Sequence, residues 1–175
     1  TAADFDYASN LYFSDGAVEL AVNLMKNGRG FTIVTDTNMA LAGVNKAALK
    51  QLNGTVRCFM ADPDVAAEAK ERGVTRAIVS MERAATLAGP VIFAIGNAPT
   101  ALIRLYEMMQ KGEIHPDFII GTPVGFVNVV ESKELIYQSS VPCIVARGRK
   151  GGSNIAAAVC NALMYQVTRT QKSGK

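Results

Sequence analysis

One histidine, three scattered cysteines, no lysine or arginine before Lys26 and no acidic residue after Glu134 set the first bounds on this chain of 175 residues. Cys58, Cys143 and Cys160 are odd in number, far apart and without a C-x-x-C pair. That argues against a disulfide framework or a zinc site and fits a reduced, cytoplasmic protein. No apolar run approaches the length of a membrane span and the start is acidic, so neither anchor nor signal peptide is expected. The Walker pattern and G-x-G-x-x-G are both missing, and no acidic pair is spaced as an obvious metal clamp. Aromatic and basic residues do not interleave, so nucleic acid is not an expected partner.

With 49% hydrophobic and 19% charged residues, the composition is that of one globular domain over residues 1–175. A chain of this size buries roughly 70% of its unfolded surface and needs no metal or disulfide staple. The net charge of +3 is unevenly placed. Asp4, Asp6, Asp15 and Glu19 open the chain, whereas Arg147, Arg149, Lys150, Arg169, Lys172 and Lys175 close it, which predicts a positive field toward the C-terminal third. Residues 169–175 read as a solvated tail.

Five apolar runs, "FTIVTD" (31–36), "VRCFM" (56–60), "VIFAI" (91–95), "DFIIG" (117–121) and "CIVAR" (143–147), read as strands covered on both faces. Helical patterns fall at 15–27, 64–72, 76–88, 99–111, 130–138 and 154–168, and 37–53 is mostly helical. Asp62-Pro63 and Asn97-Ala98-Pro99 read as helix starts, Gly73 and Gly112 as helix ends. Alternation of strand and helix predicts an α/β fold: a three-layer, doubly wound parallel sheet of about five strands.

Ligands of such sheets bind beyond the carboxyl ends of the strands. That edge collects Asp36, Thr37 and Asn38, then Ala61 and Asp62, then Gly96 and Asn97, then Thr122 within "GTPVG", and finally "RGRKGGS". Turn chemistry explains the glycines and small polar residues, but not Arg147, Arg149 and Lys150 in one loop. Ser153 and Asn154 are placed to cap the last helix, whose N-terminus favours an anion. Guanidinium forks suit carboxylates as readily as phosphates, so these residues alone reach an anion-binding α/β domain. Thr75 and Arg76 in "GVTRA" read as an N-cap and a surface residue. His115 precedes the fourth run, at the amino edge of the sheet, and reads as a loop histidine.

The segments "TAADFDY", "TDTNMALAGV", "GVTRA", "IGNAPTAL", "GTPVGFVNVVESKELI" and "PCIVARGRKGGSNIAAAVCNALMY" together resemble the precorrin-8X methylmutase family, in the family's order and over essentially the whole chain. The resemblance implies a flavodoxin-like homodimer with sites at the subunit interface. It implies an isomerase of cobalamin biosynthesis that moves a methyl group from carbon 11 to carbon 12 of precorrin-8X or cobalt-precorrin-8, giving hydrogenobyrinate or cobyrinate without an external cofactor or metal. The family's catalytic histidine falls upstream of Thr1, and an N-terminal segment is therefore expected beyond this sequence. Without that histidine, the alternative is a non-catalytic corrinoid-binding or product-carrying module. Asp4 and Asp6 either orient that histidine or are surface charge. The expected substrate-binding set is Arg76, Thr75, Arg147, Arg149, Lys150, Gly151, Gly152, Ser153, Asn38, Asn97 and Thr122. A flat macrocycle rimmed with carboxylates needs an apolar floor with cations and N–H donors at its edges.

Overall fold

The computed structural model describes residues 3–173, with side chains through Arg169. In chain order the elements are α1 (Tyr7–Asn10), β1 (Leu11–Phe13), α2 (Ala17–Lys26), β2 (Phe31–Thr35), α3 (Asn38–Gly43), α4 (Lys46–Gln51), β3 (Gly54–Arg57) and α5 (Pro63–Arg72). There follow α6 (Arg76–Ala84), β4 (Val91–Ile95), α7 (Pro99–Gln110), β5 (Phe118–Gly121), α8 (Val129–Tyr137), β6 (Cys143–Ala146) and α9 (Ser153–Ser173). The tail reading of 169–175 meets a helix that runs on to Ser173, and the last two residues lie outside the described ones.

The strands form one sheet in the order β1-β6-β5-β4-β2-β3. Strands β2 to β6 are parallel, and β1 joins β6 antiparallel, with Leu11 opposite Ala146 and Phe13 opposite Ile144. The parallel part is the doubly wound order expected for a flavodoxin-like sheet. Among the described residues the sheet thus has six strands, the five expected ones and β1. Leu11–Phe13 is only half covered and three residues long, too short to carry a pattern. The run at 56–60 also resolves differently: the strand is Gly54–Arg57, alternating in burial as an edge strand should, and Cys58–Met60 leave the sheet.

Alternate strand residues feed two cores, which is why the runs are continuously apolar. Val34, Phe93 and Ile95 face Val65, Val79, Leu102 and Leu105 on one side. Ile33, Ile92 and Ala94 face Ala21, Leu49, Ala156 and Cys160 on the other. Helices α5 to α8 thus cover one face, and α2, α3, α4 and α9 cover the opposite one. Cys143 and Cys160 are buried, and burial pushes their thiols up to about 11 and about 12. No described helix is long and apolar enough to cross a membrane.

Several helix starts obey simple capping. Thr37, Asn45 and Thr75 accept N–H bonds from the first turns of α3, α4 and α6. Asp62 occupies the N-cap position of α5 without a side-chain bond, leaving Pro63 to start the helix. Helix α7 starts on Ala98 and Pro99 without a side-chain cap, and the turn leading into it is held by Asp36, as described next.

Candidate functional site

The order of strands reverses between β2 and β4, and the crevice beyond their carboxyl ends is where this fold class takes ligands. In this chain a side chain fills it. The Asp36 carboxylate accepts the N–H groups of Gly96 and Asn97, each at 2.8 Å, and of Ala98 at 2.6 Å. Asp36 is fully buried, and desolvation pushes its carboxyl up against the three donors that pull it down. A phosphate bound in the turn that leads into α7 would need those same N–H groups. Asp36 therefore leaves the amides of that turn unavailable to a nucleotide or flavin phosphate.

The loop from Arg147 to Gly152 is welded to that edge. Gly152 N–H donates to Thr122 O at 2.8 Å, and the Gly152 carbonyl accepts Ile155 and Ala156 N–H to open α9. Ser153 does not cap the helix with its hydroxyl; it is almost fully buried and pairs with Thr37 Oγ1 at 2.7 Å. Thr122 is also fully buried, its hydroxyl donating to Ile95 O. These residues seat the loop, and their side chains are not offered to a ligand. Gly151 is tightest of all: a Cβ there would stand 2.2 Å from Thr122 O.

The three cations of the loop differ sharply. Arg147 forks onto Glu134 at 3.1 and 3.3 Å and lies 4.5 Å from the centre of the Tyr137 ring. Lys150 donates to Asp4 Oδ2 at 2.7 Å and Asp6 Oδ2 at 2.6 Å, and the two carboxylates push its ammonium well above the usual lysine range. The acidic start of the chain thus pins the basic loop, and the Lys150 bond, with the Asp6 N–H, holds the Asp4 carboxyl low. Arg149 alone has no carboxylate partner among the described residues. It donates to Phe126 O at 2.9 Å and leans over the Phe126 ring. A cavity of about 450 Å³ opens here, lined by Ser9, Asn10, Val130, Glu134 and residues 147–150.

Sequence reasoning missed Lys133. It is fully buried, with Nζ donating to Gly148 O and Lys150 O, each at 2.8 Å. Desolvation pulls its ammonium down to about 8. The signal was present: Val129, Ser132, Lys133 and Ile136 recur at helical spacing and are the buried residues of α8.

Thr75 is the N-cap that its spacing predicts, and its hydroxyl lies 3.3 Å from that of Thr100. Arg76 is exposed and reaches Met60 O at 3.4 Å, beyond the end of β3. In strand order β3 is the far edge of the parallel sheet from β6, so Arg76 and the β6 loop sit toward opposite ends. Between the two cationic ends sit exposed Asn38 and Asn97. Apolar side chains stand out from the same edge: Met39 is 71% exposed, Phe126 84% and Val127 77%. His115 is in the loop entering β5, at the opposite edge, among the residues lining a cavity with Glu113 and Asp117. An apolar cavity of about 690 Å³ lies between residues 3–18 and α9, lined by Phe5, Tyr7, Leu11, Phe13 and Val159 among others.

The family model for precorrin-8X methylmutase matches residues 1–166. A cobalt-precorrin-8 methylmutase of Priestia megaterium is 40% identical over 162 residues, covering 93% of this chain and 71% of the relative. The enzyme of the same name in Salmonella typhimurium is 42% identical over 168 residues, 95% of this chain and 77% of the relative. Among solved structures, the precorrin-8X methyl mutase of Thermus thermophilus superposes with a TM-score of 0.85 at 35% identity, covering 97% of this chain and 82% of that one. A sheet of this order and an edge of this make-up come with relatedness along nearly the whole sequence, and the chain belongs to the precorrin-8X methylmutase family.

Proposed function

We propose that this chain works as an isomerase of corrin-ring biosynthesis, moving a methyl group from carbon 11 to carbon 12 of precorrin-8X or cobalt-precorrin-8. The observation that carries this reading is the carboxyl edge of the sheet. It has exposed apolar side chains at Met39, Phe126 and Val127, an Arg149 without a carboxylate partner among the described residues at one end, Arg76 at the other, and switch-point turn amides already taken by Asp36. A broad, flat, polycarboxylate ring fits those demands, and a nucleotide does not. Similar relatives bear both substrate names, so both rings are included.

The chain's own residues bind and orient. Arg149 and Arg76 take carboxylate arms, Asn38 and Asn97 supply neutral hydrogen bonds, and the exposed apolar side chains lie against the ring. Arg147, Lys150, Thr122, Gly151, Gly152 and Ser153 hold the loop in place, as their internal partners require. Homodimer formation, which the sequence resemblance implies, has apolar surface available around the 690 Å³ cavity, where Phe5 is 91% and Phe13 47% exposed. Sedimentation would report it as twice the 18.6 kDa chain mass. Three unpaired thiols suit a reducing compartment.

Absorbance titration with precorrin-8X tests the reading: binding followed by the spectrum of hydrogenobyrinate is the expected result, and no binding of either ring form overturns it. Within the loop, Arg149→Met should weaken binding by roughly tenfold or more, the loss of a charge-assisted hydrogen bond to a carboxylate. Arg147→Met should do less, because Glu134 already neutralises that guanidinium.

A further inference from the structure

A lysine with no exposed surface and no carboxylate partner among the described residues needs a reason beyond stability. An apolar side chain of the same length would fill the site of Lys133 without the desolvation of a charge. The two acceptors show what the ammonium does. Gly148 and Lys150 lie in a loop without regular structure, with Gly148 in the left-handed region at φ +76. Nothing in helix or sheet fixes the direction of their peptide units. Lys133 fixes it by drawing both carbonyls inward.

The peptide bonds are trans, and in a trans peptide the N–H points opposite to the carbonyl. The inward carbonyl of Gly148 therefore turns the Arg149 N–H outward, and that of Lys150 turns the Gly151 N–H outward. Neither N–H has an intramolecular partner among the described residues. Arg149 is exposed and Gly151 half-buried, and the Arg149 guanidinium has no carboxylate partner among the described residues. Two outward amides, one residue apart and beside a guanidinium, suit a carboxylate, whose two oxygens accept from separate donors.

We propose that Lys133 is a positioning residue: by holding the Gly148 and Lys150 carbonyls inward it presents the Arg149 and Gly151 N–H groups, with the Arg149 guanidinium, to a carboxylate of the substrate. The identity of that substrate rests on the methylmutase reading; the orientation of the two amides does not. Lys133 touches no ligand itself.

The test uses the full chain and two independent readouts. In the first, absorbance titrations compare hydrogenobyrinate with its methyl ester, which keeps the ring and removes the carboxylate charges. Lys133→Met should weaken the acid roughly 10- to 100-fold and leave the ester within about twofold, and Lys133→Gln, which keeps a neutral N–H donor, should recover part of the loss. In the second, ¹⁵N-labelled protein is titrated with tricarballylate. The Arg149 and Gly151 amide resonances should shift in the wild-type chain and stay still in Lys133→Met. Equal weakening of acid and ester in both variants, or wild-type amides that ignore tricarballylate, overturns the proposal. Should Lys133→Met fail to fold, the wild-type amide response and the Gln variant still decide. If the wild-type chain binds neither corrin form, the methylmutase reading falls, and the amide titration judges Lys133 separately.

Discussion

Replacing Asp36 with alanine should lower the unfolding free energy by about 3–4 kcal/mol, read from urea melts. Three backbone N–H groups, of Gly96, Asn97 and Ala98, lose an acceptor that is itself fully buried. Two of those groups belong to the turn into α7, a helix that has no capping side chain of its own. The loss therefore falls on the β2–β4 junction, inside the sheet, and should lower the melting temperature by roughly 10 °C. Asp36→Asn should cost less, since one oxygen still accepts, while its new amide N–H₂ faces a donor. A melt unchanged by Asp36→Ala would mean that the junction is held by strand packing alone.

The second large effect is expected at Gly151, on binding rather than on folding. A methyl group there would meet two backbone oxygens, Thr122 O at 2.2 Å and Pro123 O at 2.6 Å, neither of which swings aside. The loop must lift, breaking the Gly152 N–H bond to Thr122 O and carrying the loop residues out of register with the edge. Gly151→Ala should weaken binding of the corrin product on the order of 100-fold, about two charged hydrogen bonds. Cooperative unfolding should survive, because both cores are untouched. Gly148→Ala is the contrast: its φ of +76 costs about 1 kcal/mol, but nothing lies within 4 Å of the new methyl group. If both substitutions act alike, backbone strain and not close approach governs the loop.

What the sequence shows and hides follows from how far apart the interacting residues are. Parallel strands covered on both faces announce themselves as unbroken apolar runs, and their carboxyl ends locate the ligand edge without further information. Strand β1 could not be read, because Leu11–Phe13 becomes a strand only through β6. The pairing of Lys150 with Asp4 and Asp6 joins opposite ends of the chain, and no local pattern predicts it. Thr122 and Ser153 look like ligands from their position after a strand; only packing reveals that they face inward. Lys133 is the reverse case, a charge whose helical spacing with Val129 and Ile136 already placed it on the buried face.

The antiparallel strand at the edge also constrains how the chain comes into being. Leu11 meets Ala146, well over a hundred residues later, so during synthesis β1 emerges long before any strand it can pair with. The acidic residues before it wait equally long for Lys150. Helices α5 to α8 and strands β2 to β5 can assemble while β1 is still an unpaired apolar ribbon carrying Tyr12 and Phe13. Long-range closure of this kind slows folding and leaves an edge open to other nascent chains. The ligand-binding loop is thus completed only after β6 has been made, when β1 and the acidic residues before it at last find their partners.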